Sequence, residues 1–156
     1  MRKWLDIMIE SDDSMKVFKP KDLEKAISKA WSKVYPKMPI RVLSDDGEVI
    51  QVTSDKKKYR IHGGNGDHFY LSFSAQYYPA DEDDPAQVHI MVTDAYANLF
   101  TGAVTKILAA VYKRMNKKYP DAARILVIED NRNPGAWYKI SQKLGAQIQE
   151  NDLFGY

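Results

Sequence analysis

Residues Gln87 to Glu129 read QVHIMVTDAYANLFTGAVTKILAAVYKRMNKKYPDAARILVIE, and their changing period decides the fold. Gln87 to Thr93 (QVHIMVT) has the apolar alternation of a strand. From Val104 the period changes. Val104, Ile107, Leu108, Val111, Tyr112 and Met115 fall on one face of a helix that runs to about Tyr119. Pro120 ends it. Arg124 to Glu129 (RILVIE) is a short continuous apolar run, the pattern of a strand covered on both faces. Strand, helix and strand in this order make a parallel crossover unit, which is right-handed in nearly all proteins.

Working outward, Asn133 and Pro134 make a cap and first position for a further helix. Trp137, Ile140 and Leu144 mark its buried side. Gly145 stops it, and Ile148 marks a last strand. On the other side, Pro20 to Tyr35 repeats Leu23, Ile27, Ala30, Trp31 and Val34 at helical spacing, between Pro20 and Pro36. Ile40 to Leu43, Glu48 to Thr53, Lys58 to His62 and His68 to Ser74 have strand character. Gly63-Gly64-Asn65-Gly66-Asp67 predicts a hairpin turn between the last two. Met1 to Glu10 (MRKWLDIMIE) lacks the uninterrupted apolar run and cleavage site of a signal peptide, and is expected to be a strand or short helix on the core. Ser11 to Ser14 and Pro79 to Pro85 are expected to be surface loops.

Composition narrows the function classes. The chain has 156 residues, 44% hydrophobic and 28% charged, which suits one domain with one core. It has no cysteine, so a disulfide framework, a Cys-zinc site and a thiol nucleophile are excluded. Its 23 basic and 21 acidic side chains leave a net charge of only +2, without the basic excess of a dedicated nucleic-acid binder. No apolar run approaches the roughly 20 residues of a membrane span. The expected location is the cytoplasm. His62, His68 and His89 have no metal-ligand spacing, and no nucleophile-elbow pattern supports a Ser-His-Asp triad.

Two segments resemble the GNAT-type acyl-CoA N-acyltransferase superfamily. One is Val88 to Met115, whose Leu99-Phe100-Thr101-Gly102-Ala103-Val104 is similar to the family's loop between a strand and a long helix. The other is Ile125 to Ala146, ending Lys143-Leu144-Gly145-Ala146, similar to the family's strand, asparagine and final helix. The resemblance implies an α/β fold of three layers, α/β/α, with a mixed, mostly antiparallel central sheet and helices on both faces. It implies acetyl-CoA as cosubstrate and a primary amine, on a small molecule or a protein, as acceptor. The cofactor-binding residues it implies are Met91, Val92, Thr93, Phe100, Thr101, Gly102, Ala103, Val104, Asn131 and Trp137. For catalysis it implies Ser141, in place of the family's tyrosine acid, or Tyr138 one turn earlier. Glu129 is the implied base, with Asp130 and Asp94 as other candidates.

The physical logic stands beside the family name. A pyrophosphate needs converging N–H donors and a favourable field, and a helix N-terminus supplies both. Glycine at Gly102 lets the backbone approach closely. Leu99, Val104 and Ser141 depart from the family pattern. They leave a second expectation open: a catalytically inactive binding or structural module, for example a phage-encoded host- or DNA-associated protein. Under it, Phe100, Trp137 or Tyr138 would fill the groove between the two parallel strands. The aromatic pair Tyr77-Tyr78 suits a homodimer interface.

Overall fold

A computed structural model describes residues 15–45, 49–54, 69–96, 102–129 and 131–150. Its elements are β1 (Lys16–Val17), α1 (Pro20–Val34), β2 (Ile40–Asp45), β3 (Val49–Ser54), β4 (Tyr70–Tyr78), β5 (Gln87–Tyr96), α2 (Ala103–Lys118), β6 (Ala123–Ile128), α3 (Pro134–Leu144) and β7 (Gln147–Glu150). The expected hairpin turn, the strand at Lys58 to His62 and the element at Met1 to Glu10 lie outside the described residues.

The sheet is mixed and mostly antiparallel, ordered β2-β3-β4-β5-β6-β7. Strands β2 to β5 pair antiparallel in sequence. Strand β1 shares an edge of β4 with β3, pairing Lys16 with Tyr77 and Val17 with Gln76. Strands β5, β6 and β7 run parallel, joined by the α2 and α3 crossovers. The α/β class and the mixed sheet therefore follow the sequence reading.

Of the expected layers, the described residues show the sheet and one helical side. Among the described residues, α1, α2 and α3 pack on one face of the sheet. Leu23, Ile27 and Trp31 of α1, Ile107, Leu108 and Val111 of α2, and Leu144 of α3 join one buried cluster with Val52, Phe73, Ile90 and Leu126. Two right-handed crossovers that step the same way along a sheet put both helices on the same side. Arg124 of β6 reports this directly. Its Nε donates to Asn116 Oδ1 of α2 at 2.7 Å, and Nη1 donates to Leu144 O of α3 at 2.9 Å. One side chain meeting both helices requires them on its own face. The opposite face carries Gln51, Thr53, Ser72, Ser74, Met91, Ile125 and Val127, given the strand register.

Local chemistry explains the boundaries. Pro20 opens α1, and Lys19 N–H donates to Asp22 Oδ2 at 2.9 Å, which closes its first turn. Trp31 is buried, and its indole N–H reaches Met38 O at 2.7 Å, so the ring enters the core without an unmade bond. Asn133 Oδ1 accepts Ala136 N–H at 3.3 Å at the start of α3. Gly145 ends α3 at φ 63°, a left-handed conformation that costs glycine little.

Candidate functional site

The arrangement of β5 against β6 makes the site. From Gln87↔Ala123 to Val92↔Ile128 the two strands are paired, and Glu129 N–H donates to Val92 O at 3.0 Å as the last rung. Strand β5 then continues to Tyr96 against β4, with no described strand on its other side. The parting coincides with a bulge. Phe73 pairs with Val92 while Ser72 pairs with Asp94, so Thr93 is an extra residue on β5. Bulges bend the strand that carries them and sharpen its twist.

Hydroxyls hold this bulge. Thr93 Oγ1 lies 3.1 Å from Ser72 O and 2.9 Å from Ser72 Oγ. Thr93 Oγ1–H is the donor, with the Ser72 carbonyl and hydroxyl oxygens as its two acceptors.

Beyond the parting is a cleft of about 1050 Å³. Val92, Thr93, Asp94, Ala95 and Tyr96 form one wall, and Ile128, Arg132, Asn133 and Trp137 the other, with Gln51 and Tyr70 at one end. It lies at the C-terminal ends of two parallel strands, where α/β sheets commonly bind ligands. Both crossover helices begin at this end of the sheet, so their positive dipole ends favour an anion there. Helix α2 has Gly102 as its N-cap, in the left-handed region at φ 87°, a residue without a side chain to cap the first turn. Among the described residues a Cβ on Gly102 would meet nothing within 4 Å, while the backbone conformation still favours glycine.

The structure brings Val92, Thr93 and Trp137 together in the cleft, with Asp94 from the candidate bases. Other expected residues lie elsewhere. Met91 sits one position before the parting, paired with Ser74 and Val127. Ala103 and Val104 turn their side chains into the core. Gly102 and Asn131 are not among the residues that line the cleft, nor is the exposed Glu129. Tyr138 is 56% exposed and points away from the core. Ser141 is buried, and its hydroxyl donates to Tyr138 O at 2.7 Å within α3, a bond that takes it out of the cleft. Phe100, Thr101, Leu99 and Asp130 lie outside the described residues. The aromatic pair is also divided: Tyr77 stacks on Tyr119 at 3.6 Å, while Tyr78 is exposed beside His89.

Sequence reading passed over Gln51, Tyr70, Tyr96 and Arg132. The signal for Tyr96 was the strand itself, which runs three residues past Thr93. For Gln51 and Tyr70 it was the polar alternation of β3 and β4.

Among the described residues, no group of His, Asp or Glu has the arrangement of a metal site, and no helix is long and apolar enough to cross a membrane. No protein-family model matches the sequence, and no curated protein matches it.

Proposed function

We propose that the chain is an acyl-CoA-dependent N-acyltransferase, with acetyl-CoA as donor and a primary amine as acceptor. The observation that carries this reading is the parting of parallel β5 and β6 at the Thr93 bulge, beside two helix N-termini. Past Val92 the edge of β5 away from β4 carries no described strand, and its backbone groups suit a ligand that carries amides of its own, as an added strand would. The pantetheine arm of CoA is such a ligand. Its pyrophosphate suits the first-turn amides of α2 behind Gly102. Trp137, half-buried on the opposite wall, gives an apolar surface for the thioester end.

Acetyl-CoA supplies the acyl group as an activated thioester. The residues of the cleft supply position and proton transfer. Asp94 is the carboxylate there and takes the proton from the attacking ammonium, directly or through water. Tyr70 and Tyr96 are the phenols there, and either can deliver a proton to the departing thiolate. They stand in the role that the resemblance implied for Tyr138 or Ser141. The Gln51 and Tyr70 end is the entry for the acceptor.

The inactive module remains a second reading, because Ser141 is buried and Tyr138 faces outward. Against it, Trp137 lines the cleft without filling it. Thermal unfolding with acetyl-CoA and with CoA separates the two. A ligand at about 100 times its Kd adds roughly 2.7 kcal/mol to stability. Gly102→Glu is expected to abolish that gain. Gly102→Ala, which bears the same backbone strain without the charge, is expected to keep more of it. Absence of binding at millimolar CoA removes the enzyme reading. Binding without transfer to any amine, unchanged by Asp94→Asn, favours the module.

A further inference from the structure

A second concavity lies at the far end of α2 from the cleft. Sixteen residues of helix separate the two ends, about 24 Å at 1.5 Å per residue. The pocket is bounded by β1, the first turn of α1 and the last turns of α2, and encloses about 280 Å³. Lys16, Arg114, Lys117 and Lys118 line it, with Asp22 as the one acidic residue among the described lining residues. The carboxylate of Asp22 already accepts Lys19 N–H. Among the described residues, no carboxylate pairs with any of the four cations.

The concentration of charge is local. Helix α2 contains five basic residues and no acidic one, in a chain whose whole net charge is +2. Arg114 and Lys118 are four apart, as are Lys113 and Lys117, spacings at which like charges destabilise a helix. The helix dipole rewards Lys117 and Lys118 in the last turn. It does not account for Lys16, which comes from another element, or for Arg114 a turn earlier.

The floor beneath these side chains is aromatic. Tyr119 stacks on Tyr77 with rings 3° from parallel, and Phe18 meets Tyr119 edge-on at 6.1 Å. Lys118 Nζ lies 5.7 Å from the centre of the Tyr119 ring, and the guanidinium of Arg114 is a group that grips a phosphoryl oxygen pair as a bidentate fork.

We infer that this pocket is a phosphate-binding site separate from the cleft, which takes one phosphoryl group, or two adjoining ones, of a phosphorylated ligand. Its volume, at the lower edge of the roughly 300–1,000 Å³ of pockets that enclose organic ligands, leaves room for one or two phosphoryl groups. The inference does not depend on the acyltransferase reading.

The test is calorimetric titration with inorganic phosphate and with pyrophosphate at constant ionic strength. Saturable pyrophosphate binding is expected, tighter than that of phosphate. Arg114→Glu should weaken it about tenfold or more, the loss of one charge-assisted pair. Gly102→Glu should leave it unchanged, which separates this site from the first turn of α2. Arg114→Glu places an acid four residues before Lys118, a favourable order, so the ligand-free midpoint should not fall. If that variant misfolds, the Lys16→Gln, Lys117→Gln double variant gives the same reading. A short single-stranded oligonucleotide forms the second arm. Tighter binding that Arg114→Glu removes assigns the phosphate to a nucleic-acid backbone. Binding of pyrophosphate without the oligonucleotide assigns it to a small ligand. No saturation at millimolar pyrophosphate, or equal binding by Arg114→Glu, overturns the inference.

Discussion

Replacing Thr93 by valine tests the joint on which the cleft depends. Valine keeps the branched shape and removes the hydroxyl, so both bonds to Ser72 are lost while no large cavity opens. Each net hydrogen bond contributes about 0.5–1.5 kcal/mol. Ser72 is only 4% exposed, so its hydroxyl loses a partner that water does not readily replace. The expected cost is therefore about 1–2 kcal/mol. For a chain of this length that lowers the unfolding midpoint by roughly 2–8 °C. Urea and thermal unfolding measure it. Ser72→Ala and the double variant complete a cycle, in which the two losses should overlap by about 0.5 kcal/mol or more, because the partners are shared. If the hydroxyl pair also sets the angle at which β5 leaves β6, Thr93→Val weakens acetyl-CoA binding more than Met91→Leu does. A stability change below about 0.5 kcal/mol, with additive single variants, would refute the argument that these hydroxyls hold the bulge.

Two further outcomes follow from buried polar groups. Tyr112→Phe should destabilise by about 0.5–1.5 kcal/mol, because the fully buried phenol donates to Ile125 O and phenylalanine cannot; equilibrium unfolding checks this, and an unchanged midpoint would show that the bond contributes nothing. Burial lowers the pKa of His89 below its ordinary 6.5, so the unfolded chain binds a proton at higher pH than the folded one. Above that value both states are neutral and the group contributes nothing; as pH falls through it toward the folded pKa, stability is lost. His89→Gln should flatten this part of the stability–pH profile, and an identical profile in the variant would assign the acid sensitivity to other groups.

Much of the fold was legible because its signals are local. Helix α2 is announced by six apolar residues on one face, and its end by Pro120. Pro20 and Pro36 bracket α1. Asn133-Pro134 and Gly145 bracket α3, whose start and stop rest on backbone chemistry that neighbouring residues supply. The run at Arg124 to Glu129 became β6, the parallel partner of both β5 and β7. Strand ends were less legible. Strand β5 runs to Tyr96 instead of stopping near Thr93, because pairing with β4 carries it past the point where its apolar alternation fades.

The candidate site was legible only in part. Val92, Thr93 and Trp137, expected to bind the cofactor, line the cleft, and Asp94 joins them. Ser141 illustrates why other candidates do not line it. On a helical wheel a serine beside Trp137 and Tyr138 is a polar candidate, but its position against the sheet buries it and its hydroxyl turns back to the helix carbonyl. Tyr138, one turn earlier on the same helix, is turned to solvent.

By itself the sequence determined which segments become helices and strands, the crossover order and the absence of thiol chemistry, because periodicity, capping and composition act within a few residues. Tertiary structure decided three things. It put the three described helices on one face, through the direction in which successive crossovers step along the sheet. It set the one-residue offset at Thr93, which exists only as a mismatch between β5 and β4. It gathered Gln51, Tyr70, Tyr96 and Trp137 around one cleft from four separate elements. Each depends on which strand lies beside which and in what register, a relation between distant residues that no local period records.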